Sequence, residues 1–305
     1  MLGVDDLNLP SLPTSPQIPP EVMDRLRLRV NHLKMLPAVA AQALEIVKDP
    51  NCSINEFSAV VERDATLAAE ILRLANSVVF MGSRPVVNLH QAIIRLGLRQ
   101  CKNLILAASF SSMMKHMTLA EESIRHALWR HSFLTALLAL EVNQSLNAGF
   151  HGEEFTGGLM HDIGRMLICV CFPDQFRTID PMTFDADGES LHREIEQLGT
   201  THCDVGAWFV EKNSLPEMLY DAVRYHHKPQ QSERHRRFVA LIATCDHMAN
   251  HLQWDDTTTE YDPAQNPAVL VLEDCGVVHA SRRLQEVAGK IMPAANRNAA
   301  EMLNF

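Results

Sequence analysis

The first third of the chain predicts an all-α fold, and three observations carry that prediction. Apolar residues recur at three- and four-residue spacing, the period of one helix face. Turn and cap signals cut these runs into helix-length pieces. No stretch there alternates convincingly between apolar and polar residues, as a half-buried strand would.

Residues 1–20 carry Pro10, Pro13, Pro16, Pro19 and Pro20 with few aromatics, so they predict an arm or linker that orders only by docking. Helical spacing begins after Glu21 with Val22, Leu26, Leu28 and Leu33. It resumes beyond the Leu36-Pro37 break with Val39, Ala43, Leu44, Ile46 and Val47, and Asp49-Pro50-Asn51 closes that helix by turn chemistry. Ser53, three residues ahead of Glu56, is a capping box, and Phe57, Val60 and Val61 supply the apolar face that follows. Asp64 opens the next helix, with Leu67, Ile71, Leu72, Leu74 and Ala75 along one side and Asn76-Ser77 near its end. After the turn at Gly82-Ser83-Arg84-Pro85 come Leu89, Ala92, Ile93, Leu96 and Gly97, then Leu104, Ile105 and Leu106. Met113, Met114 and Met117 read as core filler.

Near the other end, residues 253–276 combine Asp255-Asp256, three threonines, Pro263 and Pro267, and read as an insert or loop. Helix is expected again over 277–305, kinked at Pro293. Its apolar positions Val278, Leu284, Val287, Ile291 and Met302 suit docking on the body or on a second copy, a homodimer.

At 305 residues and 47% apolar content the chain is long enough to build cores in two domains. No apolar run approaches the ~18 to 20 residues of a membrane span, and no basic-then-apolar leader opens the chain. The expectation is a cytoplasmic protein with no membrane partner. A net charge of −10 weighs against a nucleic-acid surface, whose affinity comes from basic residues neutralising phosphates. Seven scattered cysteines, mostly in apolar stretches, predict reduced core thiols, and Cys169-Val170-Cys171 lacks the second pair of a zinc knuckle. Fifteen histidines are an excess that needs a reason.

That reason centres on residues 157–165. His161 and Asp162 stand between Phe155, Leu159 and Met160 on one side and Ile163, Met166, Leu167 and Ile168 on the other, so two groups that resist burial are carried inside a helical segment. Buried polar groups need partners. An adjacent imidazole and carboxylate are satisfied by a divalent cation or by hydrogen bonds to a neighbouring helix.

The order Leu36-Pro37, Asp49-Pro50, Asp64-Ala65-Thr66-Leu67-Ala68, Leu74-Ala75-Asn76-Ser77, Ala92-Ile93-Ile94-Arg95-Leu96-Gly97, Leu128-Trp129-Arg130-His131-Ser132 and Gly158-Leu159-Met160-His161-Asp162-Ile163-Gly164-Arg165 resembles the HDOD family. That family is a branch of the HD superfamily of metal-dependent phosphohydrolases. The likeness runs from about Leu33 to about His251, with Ala65 standing where the family has proline.

The resemblance implies an all-helical fold: an N-terminal bundle, residues 21–112, packed on an HD-like core, residues 113–252. It also implies a ligand set. His131, His161, Asp162 and Asp246 match the superfamily's single-metal pattern. His202 and the pair His226-His227 match the second-metal positions of a branch similar to HD-GYP phosphodiesterases, with Asp162 as the bridging carboxylate. One or two divalent transition metals are expected, iron or manganese first and nickel or zinc next, on a thiol-free donor set. Between two such ions a water can ionise near neutral pH and attack a phosphoryl group.

In the catalytic reading Asp162 joins Arg165 and Lys228, the last two gripping phosphate. Arg165 stands where active relatives have lysine, and Lys228-Pro229-Gln230-Gln231 replaces their Gly-Tyr-Pro segment. The leading expectation is therefore a signalling protein acting through a signalling protein partner or a small phosphorylated ligand, with vestigial or undefined phosphohydrolase activity. A metal-dependent phosphohydrolase acting on a nucleotide or cyclic nucleotide is the second reading, and a metal-free helical scaffold the third. Glu194 stands where the family often has glutamate, a place from which it would support a metal ligand, but the leading expectation for it is an ordinary solvated helix face; the remaining histidines read as surface or packing residues.

Overall fold

A computed structural model describes residues 17–30, 36–47, 49, 51–76, 84–117, 122–182, 189–254 and 260–303. Most of the Pro-rich arm, the Gly82-Ser83 turn and residues 255–259 of the expected insert lie outside the described residues. Those described form fifteen α-helices and no strand, so the fold is all-α. In chain order they are α1 (Pro20–Val30), α2 (Ala38–Ile46), α3 (Ile54–Val61), α4 (Ala65–Ala75), α5 (Leu89–His116), α6 (Glu122–Leu146), α7 (Glu153–Met160) and α8 (Ile163–Cys171). There follow α9 (Phe176–Ile179), α10 (Glu189–Leu198), α11 (His202–Lys212), α12 (Glu217–Tyr225), α13 (Arg236–Trp254), α14 (Pro267–Asp274) and α15 (Ala280–Leu303). No described helix is long and apolar enough to cross a membrane.

The chain divides into two compact units, and the smaller comprises residues 33–117 and 151–156. Here α2, α3 and α4 pack on α5 around Ala43, Phe57, Val61, Leu67, Ile71, Leu74, Ile93 and Leu104. The caps are local and legible. Ser53 Oγ accepts from Glu56 N at 3.2 Å while the Glu56 carboxylate accepts from Ser53 N at 3.0 Å, and Asp64 Oδ1 accepts from Leu67 N at 3.0 Å. Proline is not needed at position 65, because the Asp64 cap starts α4 by itself. Within α5, Gly97 has φ +79° and breaks the helix; a Cβ there would meet nothing, so backbone conformation and not crowding calls for glycine. Met113, Met114 and Met117 are buried, as core filler should be.

The larger unit comprises residues 1–32, 118–150 and 157–305. In it α6 lies between α13 and α15, while α8 receives α1 on one side and α11 on the other. The sequence reading grouped α1 with the N-terminal bundle. Its buried positions Val22, Leu26 and Val30 instead bring it onto α8. Gln17, at the described end of the arm, donates its N–H to Asp204 Oδ1 at 3.1 Å.

Of the expected insert, Gln253 and Trp254 complete α13, and its other described residues include a 3-10 turn, Pro263–Gln265, and the helix α14. Pro263 and Pro267, expected in a loop, each occupy the first turn of a helix, where a missing N–H costs nothing. Asp262 and Asn266 cap those turns by accepting from Ala264 N and Ala268 N. The C-terminal helix packs on α6 of the same chain through Leu284, Ala288, Ile291, Ala295 and Ala299, so its apolar face is used within the unit. No described cysteine is in a disulfide, and Cys101, Cys169, Cys171, Cys203 and Cys245 are buried.

Candidate metal centre

Residues 157–165 are not one helix. Helix α7 ends at Met160 and α8 starts at Ile163, leaving His161 and Asp162 in the joint, Asp162 at φ −100° and ψ 17°. A continuous helix would have splayed the two side chains about 100° apart around one axis. At the joint both reach the same interior point.

Two glycines let the neighbouring helices come close enough. A Cβ on Gly158 would stand 2.7 Å from Ala136 Cα, so α7 lies directly on α6 and brings His161 beside His131. A Cβ on Gly164 would overlap the carbonyl oxygen of His202, so α8 touches the start of α11 backbone to backbone. Asp162 thereby lies next to His202.

The seven residues expected as ligands converge in two clusters. In the first, His131 Nε2 lies 3.3 Å from His161 Nε2, 3.0 Å from Asp246 Oδ1 and 3.5 Å from Asp162 Oδ2. His161 Nε2 is 3.7 Å from Asp162 Oδ2 and 3.6 Å from Asp246 Oδ1. In the second, His202 Nε2 is 3.3 Å from His226 Nε2 and 3.1 Å from His227 Nε2, and both His202 and His226 stand 3.4 Å from Asp162 Oδ1. Asp162 thus offers one oxygen to each cluster. Of the seven, His227 alone is half-buried and the others are buried.

The opposite edge of four of the five rings is already occupied. His131 Nδ1 lies 2.7 Å from Gln253 Oε1, His161 Nδ1 2.7 Å from the Gly158 carbonyl, His202 Nδ1 2.9 Å from Glu194 Oε1, and His226 Nδ1 3.1 Å from the Ala222 carbonyl. Each of these partners accepts, so the ring proton sits on Nδ1 and the lone pair on Nε2 faces the cluster. Converging lone pairs and carboxylates repel unless a cation stands among them. Metal–ligand bonds of ~2.0 to 2.2 Å separate neighbouring donors by ~3.0 to 3.4 Å, close to the spacings found. The donor set therefore fits a divalent metal.

Burial works to raise the Asp162 carboxyl, but His161 and the Arg165 guanidinium outweigh it and hold the pKa well below the carboxylate range. Asp246 is likewise held low against burial, by His131 and His161. Burial pushes the His226 and His227 imidazoles downward, towards the neutral form a metal ligand needs, whereas at His161 and His202 burial is outweighed by neighbouring acidic groups, Asp162 and Asp246 at the first and Cys203 and Glu194 at the second, and the pKa is raised.

Several contributors escaped the sequence reading. Glu194 is not on a solvated face: it is buried, and its carboxylate accepts from His202 N at 2.7 Å as well as holding His202 Nδ1. On its helix, α10, the inward Glu194 and the exposed Glu196 are the same residue type two positions apart, so composition does not tell them apart. Glu194→Ala is expected to weaken metal binding at the second cluster by about 10- to 100-fold and leave the first unchanged, measured by chelator competition. Gln253, two turns after Asp246 on α13, carried no sequence signal at all. The other described histidines stay out of the clusters; His235 Nδ1 pairs with Asp221 at 3.0 Å, and His247 and His251 flank the Tyr261 ring.

Arg165, expected to grip phosphate, spends its donors inside the protein. Its Nη1 donates to Asp162 Oδ2 at 2.9 Å, and its Nε and Nη2 form a fork on Asp180 at 2.7 and 3.1 Å. Asp180 follows the short helix α9 and was not singled out from sequence. Burial acts to raise its pKa, but the Arg165 guanidinium prevails and keeps it below the ordinary value. A depressed folded pKa contributes stability above the unfolded value of roughly 3.9 and loses it as pH falls through the folded one. Asp180→Asn is therefore expected to cost about 3 kcal/mol at neutral pH, with the two proteins' thermal stabilities converging below roughly pH 4. Lys228 follows His227 and is buried, which lowers its pKa.

A family model described as the HDOD domain matches residues 33–229. The crystal structure of an HDOD domain protein with unknown function from Geobacter sulfurreducens superposes with a TM-score of 0.68, covering 91% of this chain and 99% of that one at 22% identity. That of a candidate phosphohydrolase from Shewanella amazonensis SB2B gives 0.66, covering 90% and 98% at 22% identity. An uncharacterized protein of Treponema pallidum (strain Nichols) is 19% identical over 217 residues, which are 70% of this chain and 42% of that relative. The chain thus spans well under half the length of this curated relative, and at such identities the superpositions speak for fold alone.

Proposed function

Because this chain belongs to the HDOD family, we propose that it is a signalling protein whose His–Asp centre holds two divalent transition metals and reports their presence, or that of a bound ligand, to a partner. One observation carries the reading: Asp162 directs its two oxygens at two separate groups of imidazoles. His131, His161 and Asp246 would hold one ion with Asp162, and His202, His226 and His227 the other. Iron or manganese suits this mixture of imidazole and carboxylate, with nickel or zinc next. The partner is a signalling protein or a small phosphorylated ligand.

Metals bound there supply Lewis acidity towards a phosphoryl oxygen and activation of a water nucleophile. What the chain itself does is orient. Gln253, Gly158, Glu194 and Ala222 fix four imidazoles through Nδ1, and Arg165, braced by Asp180, fixes the shared carboxylate. With its charge engaged by two carboxylates, Arg165 acts on Asp162 in this reading and not on substrate.

A second reading, hydrolysis of a nucleotide or cyclic-nucleotide phosphoester, is favoured by His227, which is only half-buried where the other six residues are buried. It also accords with the name of the Shewanella relative. Against it stand Arg165 in place of lysine and Lys228-Pro229 in place of the Gly-Tyr-Pro segment.

Elemental analysis of protein prepared without chelator tests the metal proposal. Two transition-metal equivalents are expected, falling to about one when His226 and His227 are both replaced by alanine; zero in the unaltered protein would leave the metal-free scaffold. A broad phosphoester screen of the metal-loaded protein then separates the first two readings, since metal-dependent turnover of any compound favours the enzyme.

A further inference from the structure

The sequence reading took the donor set as thiol-free, but the second cluster has a sulfur beside it. Cys203 is fully buried and follows His202 in the first turn of α11. Its Sγ and a ring nitrogen from each of His202, His226 and His227 all lie within 4.8 Å of one another. The position is set by the helix start: Thr201 Oγ1 accepts from Asp204 N at 3.2 Å, which fixes the turn that carries both His202 and Cys203. Opposite nitrogen and sulfur ligands on one ion stand ~4.4 Å apart, given bonds of ~2.1 and ~2.3 Å, so one ion spans this group with little adjustment.

We propose that Cys203 is a further ligand of the second cluster, giving that position a mixed imidazole, carboxylate and thiolate donor set. The inference rests on the two-metal reading above. On coordination the thiol proton leaves to solvent and a sulfur–metal bond forms; no electron is transferred. The first cluster offers nitrogen and oxygen only. The two positions therefore differ in softness, and the second prefers zinc or cobalt to manganese, because thiolate ligation favours the softer ions.

The test uses the full-length reduced protein, freed of metal and titrated anaerobically with cobalt(II). Visible ligand-field bands report cobalt on any donors, and a near-ultraviolet thiolate-to-cobalt charge-transfer band reports sulfur. The wild type is expected to show both. Cys203→Ser and Cys203→Ala are expected to lose the near-ultraviolet band and keep visible absorption from the first cluster, while Cys52→Ser keeps both. Circular dichroism identifies a variant that fails to fold, and the other then carries the comparison. Visible bands without the near-ultraviolet band in the wild type, or a charge-transfer band that survives in the Cys203 variants, would overturn the assignment and leave the metal centre standing. No cobalt spectrum at all would remove the two-metal reading and this ligand together.

Discussion

Asp162→Asn is expected to strip metal from both clusters at once, lowering affinity at each by more than about 100-fold. The figure is a floor, since loss of even an outer partner of a ligand costs 10- to 100-fold, and here the residue removed offers an oxygen to each cluster. Asp162 Oδ2 faces His131 and His161, and Oδ1 faces His202 and His226. Asparagine keeps the shape but not the charge, and only one of its two terminal atoms is a good ligand. A substitution confined to one cluster, such as His131→Ala, should spare metal at the other. The readouts are metal equivalents by elemental analysis and metal-dependent thermal stabilisation. A ligand present at 100 times its dissociation constant contributes about 2.7 kcal/mol of stability, and the variant is expected to lose that increment. Retention of two equivalents by Asp162→Asn would refute the shared-carboxylate arrangement. In the signalling reading the same variant also abolishes regulation of the partner with no catalytic loss to measure.

Gly164→Ala is expected to destabilise the protein by about 3 kcal/mol or more, at the upper end for overpacking. The added methyl would overlap the carbonyl oxygen of His202, which is backbone and cannot rotate away as a side chain would. Relief requires α11 to lift from α8, and that shift carries His202 and Cys203 away from Asp162. The variant should therefore unfold at lower denaturant concentration and also lose metal from the second cluster while holding it in the first. Gly289→Ala on α15 is the control. It is exposed, a Cβ there meets nothing within 4 Å, and it lies inside a helix. Its expected effect is a gain of about 0.5 to 1 kcal/mol from reduced backbone entropy in the unfolded chain. If Gly164→Ala proved as harmless as Gly289→Ala, the close approach of α8 and α11 would not be what holds the second cluster together.

Which parts of this architecture could be read in one dimension follows the range of the interactions involved. The cap of α3 is complete within four residues, Ser53 to Glu56, and the start of α4 within Asp64 to Leu67, so both were legible. The apolar faces of α2 to α5 were legible because their period is itself local. Motifs that resemble HDOD proteins pointed to seven residues across 116 positions, and the structure gathers all seven in two clusters whose neighbouring donor atoms stand 3.0 to 3.7 Å apart. The break between α7 and α8 was not legible, since apolar residues flank His161-Asp162 on both sides, Leu159 and Met160 before and Ile163, Met166 and Leu167 after, as they would along one continuous helix. Pro263 and Pro267 misled for a related reason: the same residue starts a helix or ends one according to what precedes it.

The sequence by itself determined that the chain is helical, where the helices of its first third begin, and which histidines and aspartates are candidates for a metal. The tertiary structure alone decided what surrounds them. Glu194, Gln253 and Asp180 look like any other surface-type residues until a partner from a distant helix turns them inward. Cys203 looks like any core thiol until α11 and α12 bring three imidazoles beside it. Capping and helix period are written within one turn of chain, and so they can be read from it. Burial and partnership are properties of two helices meeting, and the meeting of α8 with α11 hangs on a glycine whose missing side chain leaves no pattern of its own.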